Sequence, residues 1–273
     1  MAQKALLVGI NKYPDPRNKL NGCVNDIKDM ASFLTKKCGF QSDDIRLIVD
    51  ERATANNIKE RLNWLVSDLQ AGDRIFFQYS GHGAVLPIRS GKGKVSQLFE
   101  CICPYDFNWT ADTSVRDIDF AEIFNVIPDG VEFVWISDSC HSGGLVDERG
   151  IMENEGQIPR QFYVPEDLAW RIVTAQALSI VSQSFRDIAK RINAVLVAAC
   201  KATQTAADAY FNGKPNGALT YFLLKALEDN TIFSQPLTFV TGKVIEDLKN
   251  NRYSQIPQLE GNDTMKEKAF LQI

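Results

Sequence analysis

The chain has only two histidines, His82 and His141, and each sits in a short glycine-bearing motif. The first motif is Tyr79-Ser80-Gly81-His82-Gly83. The second is Ser137-Asp138-Ser139-Cys140-His141-Ser142-Gly143-Gly144. A Cys and a His that meet in space can do nucleophilic chemistry, because the imidazole takes the thiol proton and the thiolate attacks near neutral pH. Neighbouring glycines let backbone N–H groups approach a reacting carbonyl, so the amides of Gly83 and Cys140 are candidate oxyanion donors. His141 competes for the base, but adjacent residues point apart, so the base is assigned to His82 and His141 is left to shape the turn or bind substrate. The plainer reading makes Cys140 a core thiol and His82 a turn residue; two such motifs, each at a strand end, argue against it.

The apolar pattern supplies the elements that would bring these motifs together. Ala5–Ile10, Ile45–Val49, Arg74–Tyr79, Val131–Ser137 and Ala194–Ala199 are short solid apolar runs and read as buried strands. Leu20, Cys23, Ile27, Met30 and Leu34 recur at helical spacing. Thr54 is a good N-cap for a helix carrying Ile58, Leu62, Leu65 and Leu69. Further helices are expected near Asp119–Val126, Gly217–Glu228 and Leu237–Asn250, with Ala269–Ile273 as a last strand. Buried strands alternating with helices imply an α/β fold with a mostly parallel central sheet and helices on both faces, in one domain spanning residues 1–273. In such sheets ligands bind beyond the carboxyl ends of the strands, where both motifs fall.

Composition narrows the function classes. The 30 Lys plus Arg against 34 Asp plus Glu leave a net charge of −4, so no nucleic-acid partner and no membrane partner are expected. No segment approaches 18 apolar residues, and the Ala5–Ile10 run is too short for a signal peptide, so a soluble cytoplasmic protein, taken as a monomer, is expected. The six cysteines form no CxxC pair, which argues against a structural zinc site and against a disulfide framework; Cys101-Ile102-Cys103 reads as core. The basic stretch Ser90-Gly91-Lys92-Gly93-Lys94, within an expected loop from Gly83 to about Phe99, lacks the P-loop spacing. An α/β-hydrolase elbow would need Gly at 138 and a histidine after 141, and the chain has neither.

With Ala5–Tyr13 (ALLVGINKY), Leu20–Ile27 (LNGCVNDI) and Gln204–Asp208 (QTAAD) added to the two motifs, the sequence resembles the caspase-like cysteine peptidases, and among them the metacaspases, from about residue 4 to about residue 225. It departs from true caspases, whose nucleophile lies in a QACxG-type motif. The resemblance implies a caspase-like three-layer sandwich, a catalytic dyad of His82 and Cys140, and endopeptidase cleavage after Arg or Lys in protein or peptide substrates. It places Asp26, Ser80, Asp138 and Asp208 around the primary specificity pocket. Three carboxylates there would repel an aspartate and pair with a guanidinium; taken singly, Asp26 and Asp138 also read as a helix-start residue and a turn former. No cofactor is required. A calcium site is implied more weakly, through Asp106 and Asp147, and the acidic pair expected near Asp117-Ile118-Asp119 is split. The alternative from another class is a catalytically silent caspase-fold binding or regulatory module; the presence of both Cys140 and His82 favours the enzyme.

The segment from Gly143 to about Asn193 interrupts the alternation and begins beside the nucleophile. It carries Arg149, Arg160, Arg171, Arg186, Lys190 and Arg191, so an enzyme cutting after basic residues would hold its own substrate at high effective concentration. Polar exposed chain is where nicking concentrates, which favours self-cleavage after Arg149 or Arg160. The resemblance points the same way, since related enzymes often process themselves in this region. The alternative is a packed insertion that merely covers the sheet.

Overall fold

The computed structural model describes residues 1–89, 95–140, 157–170 and 184–271. Its centre is a six-stranded sheet in the order β12-β9-β7-β3-β1-β2. These strands are β1 (Gln3–Gly9), β2 (Ile45–Val49), β3 (Arg74–Ser80), β7 (Glu132–Asp138), β9 (Ala194–Ala198) and β12 (Gln258–Gly261). All neighbours run parallel except β12, which pairs antiparallel with β9. Every residue of β3 is buried, as expected of a central parallel strand covered on both faces.

Helices pack on both faces of the sheet. Beneath one face pack α2 (Ala55–Val66), α3 (Asp117–Phe124) and α4 (Phe185–Arg191), contributing Ile58, Leu62, Phe120, Phe124, Phe185 and Ile188 to one core. The other face is covered by α1 (Cys23–Lys37), α5 (Ala218–Glu228) and α6 (Leu237–Asn250), through residues such as Ile27, Leu34, Leu219, Phe222 and Val244. Three layers result, as the sequence implied. Thr54 caps α2 as expected, its hydroxyl accepting from the Asn57 amide. Cys101 and Cys103 lie in the core, and all six cysteines are buried free thiols.

Three expectations need correction. The run from Gly83 to Phe99 is not a loop: β4 (Gly83–Arg89) and β5 (Val95–Ile102) form an antiparallel pair, extended by β6 (Val115–Arg116). The Gly/Lys composition of residues 90–94, which lie outside the described residues, masked the apolar flanks Ala84-Val85-Leu86 and Leu98-Phe99. Among the described residues the last sheet strand is β12; of the strand expected over Ala269–Ile273, Ala269 makes an isolated bridge to Pro236, and residues 272–273 lie outside the described residues. The helix expected from Asp119 begins at Asp117 and ends at Phe124. In the described part of the insertion, β8 (Ile158–Pro159) pairs with β10 (Ala207–Phe211), which in turn pairs with β11 (Lys214–Gly217).

Candidate active site

Strands β3 and β7 are sheet neighbours, with Ser80 opposite Asp138 in register, so the residues just beyond each end are delivered to one place. His82 and Cys140 are those residues, and both are buried. The His82 turn is held by two tyrosines. The His82 amide donates to Tyr13 Oη at 3.0 Å, and Tyr79 Oη donates to the His82 carbonyl at 2.7 Å. On the ring, Nε2 lies 2.8 Å from the Asn18 carbonyl, which requires the Nε2–H form, while Nδ1 is buried without a hydrogen-bond partner. Burial pushes the imidazole down to about 4, against the pull of the Asn18 and Arg160 carbonyls, which favours the neutral ring with Nδ1 as its unprotonated nitrogen.

The Cys140 sulfur is not hydrogen-bonded to that nitrogen. Its Sγ faces the Ala206 peptide instead, accepting from the amide at 2.6 Å and lying 3.7 Å from the carbonyl. The two glycine-assisted amides singled out from sequence do converge on one point. Gly83 N and Cys140 N donate to a single oxygen, the carbonyl of Arg160, at 3.3 and 3.2 Å.

Arg160 is the occupant of the acidic pocket. One terminal nitrogen of its guanidinium lies 2.6 Å from Asp26 Oδ2 and 3.8 Å from Asp208 Oδ1. The other lies 3.1 Å from Asp138 Oδ1, and the Arg160 and Asp26 side chains are wholly shielded from solvent. The carboxylates are oriented from behind by two helix starts. Asp208 Oδ2 accepts from the amides of Asn21 and Gly22, the latter the N-cap of α1. Asp138 Oδ2 accepts from the amide and hydroxyl of Thr220 in the first turn of α5, and Asp26 Oδ1 from Gly217 N and Asn216 Nδ2. Three anions around one cation are tolerable because these amides and helix dipoles carry part of the compensation. Burial raises the Asp26 and Asp208 carboxyls while Arg160 pulls them back down; burial opposes the Arg160 charge, but Asp138 and its fellow acids outweigh it and raise Arg160 well above its ordinary value. A Cβ on Gly217 would stand 2.5 Å from the guanidinium, so only glycine fits there.

The backbone on either side of Arg160 is extended and paired. Its amide donates to the Ala206 carbonyl at 2.9 Å, and β8 continues that pairing against Ala207 and Asp208. Beyond it, Gln161 bridges Gly83 in parallel and Phe162 N donates to the Gly83 carbonyl. A segment added as a strand, with its side chain in a charged pocket and its carbonyl on two amides, is how a peptide is presented for acyl transfer.

Other expected site residues fall differently. Ser80 is buried at the end of β3, where its hydroxyl accepts from Gln78 Nε2; among the described residues it makes no hydrogen bond to Arg160. Asp106 accepts the Ala55 amide at the start of α2, and Asp147 and Arg149 lie outside the described residues, as does His141. Among the described residues, no group of three His, Cys, Asp or Glu side chains is placed to hold a metal ion. Of the two expected calcium ligands only Asp106 lies among the described residues. Asn18, Tyr13, Asn216 and Thr220 were missed from sequence: each acts through a carbonyl, hydroxyl or amide whose partner is remote in the chain. No described helix is long and apolar enough to cross a membrane.

Comparison with known proteins shows the family of the chain. Residues 3–149 match the family described as metacaspase, peptidase C14 domain. Metacaspase-9 of Arabidopsis thaliana is 30% identical over 98% of this chain and 96% of its own length. Metacaspase-1 of Schizosaccharomyces pombe is 30% identical over 94% of the chain and 66% of its length. Metacaspase-7 of Arabidopsis thaliana is 39% identical over 54% of the chain, a match that spans only 36% of that relative. A solved protein from Geobacter sulfurreducens superposes over 100% of the chain and 99% of its own, with a TM-score of 0.72 at 21% identity, which bears on the fold alone. On sequence and architecture together, the chain belongs to the metacaspase family of cysteine-type endopeptidases.

Proposed function

We propose that this chain is an endopeptidase that cuts after Arg or Lys with Cys140 as nucleophile and His82 as base, and that its first substrate is its own Arg160–Gln161 bond. One observation carries the reading: Arg160 fills the carboxylate pocket while its carbonyl rests on the Gly83 and Cys140 amides. The Cys140 thiol turns from Ala206 toward that carbonyl and gives its proton to His82 Nδ1. The thiolate forms the S–C bond, and the two amides take up the oxyanion. Imidazolium then protonates the Gln161 nitrogen as the C–N bond breaks, and water releases the Arg160 carboxylate from the thioester. The Asn18 carbonyl holds His82 Nε2–H throughout and keeps Nδ1 as the acting nitrogen.

Specificity follows from the same pocket. A guanidinium reaches Asp26 and Asp138 through two nitrogens, which a single ammonium cannot do, so Arg should exceed Lys. Aspartate would be a fourth anion in a dry site. A panel of fluorogenic peptide amides ending in Arg, Lys or Asp tests this: the expected order is Arg above Lys, with Asp uncut. Efficient cleavage after Asp would overturn the pocket assignment.

A further inference from the structure

Two residues beyond Arg160, the Phe162 ring is buried to 7% exposure in a box of aromatic rings. Phe107 lies 4.9 Å away and Tyr13 5.5 Å, both edge-on, with Trp109 at 6.1 Å closing the side. The fourth wall is His82 itself, 5.6 Å away and perpendicular. The box belongs to the body of the domain and not to the segment it holds. Its parts come from the loop after β1, the turn after β3 and the loop after β5, and Phe107 and Trp109 also pack on each other at 5.1 Å. Backbone pairing holds the segment in register with the Phe162 ring in the box: Phe162 N donates to the Gly83 carbonyl and Tyr163 N to Asn18 Oδ1 at 2.8 Å. The next side chain, Tyr163, is 44% exposed and lies under the Arg17 guanidinium at 4.1 Å.

We infer that the Tyr13/Phe107/Trp109 box is a second specificity site on the leaving side of the scissile bond, taking an aromatic side chain at the second residue after the cut. The inference rests on reading Arg160–Gln161 as the bond cleaved. Its substrate class is therefore peptides of the form Arg–Xaa–aromatic, and not any peptide with an exposed Arg. Edge-to-face contacts with three rings reward an aromatic beyond its apolar area. Because His82 is one wall, a filled box also presses on the base and keeps water from it. Filling it aligns binding on the leaving side with proton delivery to the leaving nitrogen.

The test uses the Phe162→Ala protein, in which the box has lost its own occupant, and two internally quenched peptides that differ only at the second position after Arg. We expect kcat/KM for Arg-Gln-Phe-Tyr to exceed that for Arg-Gln-Ala-Tyr by at least about tenfold, equivalent to about 1.4 kcal/mol, and Trp109→Ala introduced beside it to reduce that ratio. A ratio near one, with both peptides cut, overturns the inference and leaves the endopeptidase reading standing. If neither peptide nor a simple Arg coumarin amide is cut, that reading falls and the inference with it. Should Phe162→Ala fail to fold, self-cleavage of Phe162→Tyr against Phe162→Leu decides the same point. Tyr near the wild-type rate and Leu several-fold slower supports the box, and equal rates overturn it.

Discussion

The guanidinium of Arg160 lies 2.6 Å from Asp26 Oδ2, and neither side chain reaches solvent. The two residues are 134 positions apart in the chain, so the insertion is pinned to the body of the domain by a buried ion pair that the reaction must later release. Removing one member of such a pair strands the other, at a cost of about 3–5 kcal/mol. Arg160→Ala should therefore lower the urea midpoint of unfolding without changing the slope, and should hydrolyse small Arg amides without a lag because its pocket is open. An unchanged midpoint would mean that the three acids stand comfortably without their cation.

Asp138→Ala and Asp26→Ala attack the pocket from the other side. Each should raise KM for Arg substrates by well over tenfold and weaken discrimination against neutral residues, with Asp138 also loosening the first turn of α5 through Thr220. Steady-state kinetics on Arg and norleucine peptides reads both effects. Wild-type discrimination retained in either variant would remove that carboxylate from the specificity site.

Cys140→Ala and His82→Ala should each reduce turnover by comparable large factors, and the double variant should be little worse than either, because the two act as one unit. His141→Ala should cost less. If His141→Ala proves the more damaging histidine change, the base has been assigned to the wrong ring.

His82 also makes stability depend on pH. Its imidazole is held at about 4 by burial, against about 6.5 in an unfolded chain. Between those values the unfolded state binds the extra proton, so stability from this group is intact above about pH 6.5 and falls as pH drops toward 4, by about 3 kcal/mol in all. Denaturant midpoints of Cys140→Ala against Cys140→Ala/His82→Gln across that range isolate the contribution. The first protein should lose stability faster on acidification, and parallel curves would show that His82 is not held neutral.

Asp106 offers a prediction about metal dependence. Because its carboxylate accepts the Ala55 amide at the start of α2, Asp106→Ala should lower stability by about 1 kcal/mol. The loss should be the same in calcium as in chelator, as thermal melts in both would show. A deficit that appears only with calcium would make Asp106 a ligand.

Much of the core and the candidate dyad were legible because they rest on local signals. Solid runs such as Arg74–Tyr79 can only be buried strands, and Gly-His-Gly or Ser-Cys-His-Ser-Gly at their ends mark where a sheet presents chemistry. The acidic pocket was readable through resemblance, since Asp26, Asp138 and Asp208 are remote in sequence and no periodicity links them. The β4–β5 pair was hidden by the composition of its turn. What no sequence pattern announced was that the pocket is filled from within, although Arg160 stood among the expected processing sites and Pro159-Arg160-Gln161-Phe162-Tyr163 joins a basic residue to an aromatic pair. Asn18 was invisible for a different reason: its carbonyl orients His82 and its side chain holds Tyr163, and a backbone carbonyl has no residue-type signature.

Intact-mass spectrometry of purified wild-type and Cys140→Ala protein after prolonged incubation tests cleavage of the Arg160–Gln161 bond most directly. The expected result is a pair of wild-type fragments ending at Arg160 and beginning at Gln161, with the Cys140→Ala protein unbroken. A wild-type chain that stays whole while cleaving Arg peptides, or that is cut only after Arg149, would contradict the reading of Arg160 as a bound substrate and leave it a fixed plug in the pocket.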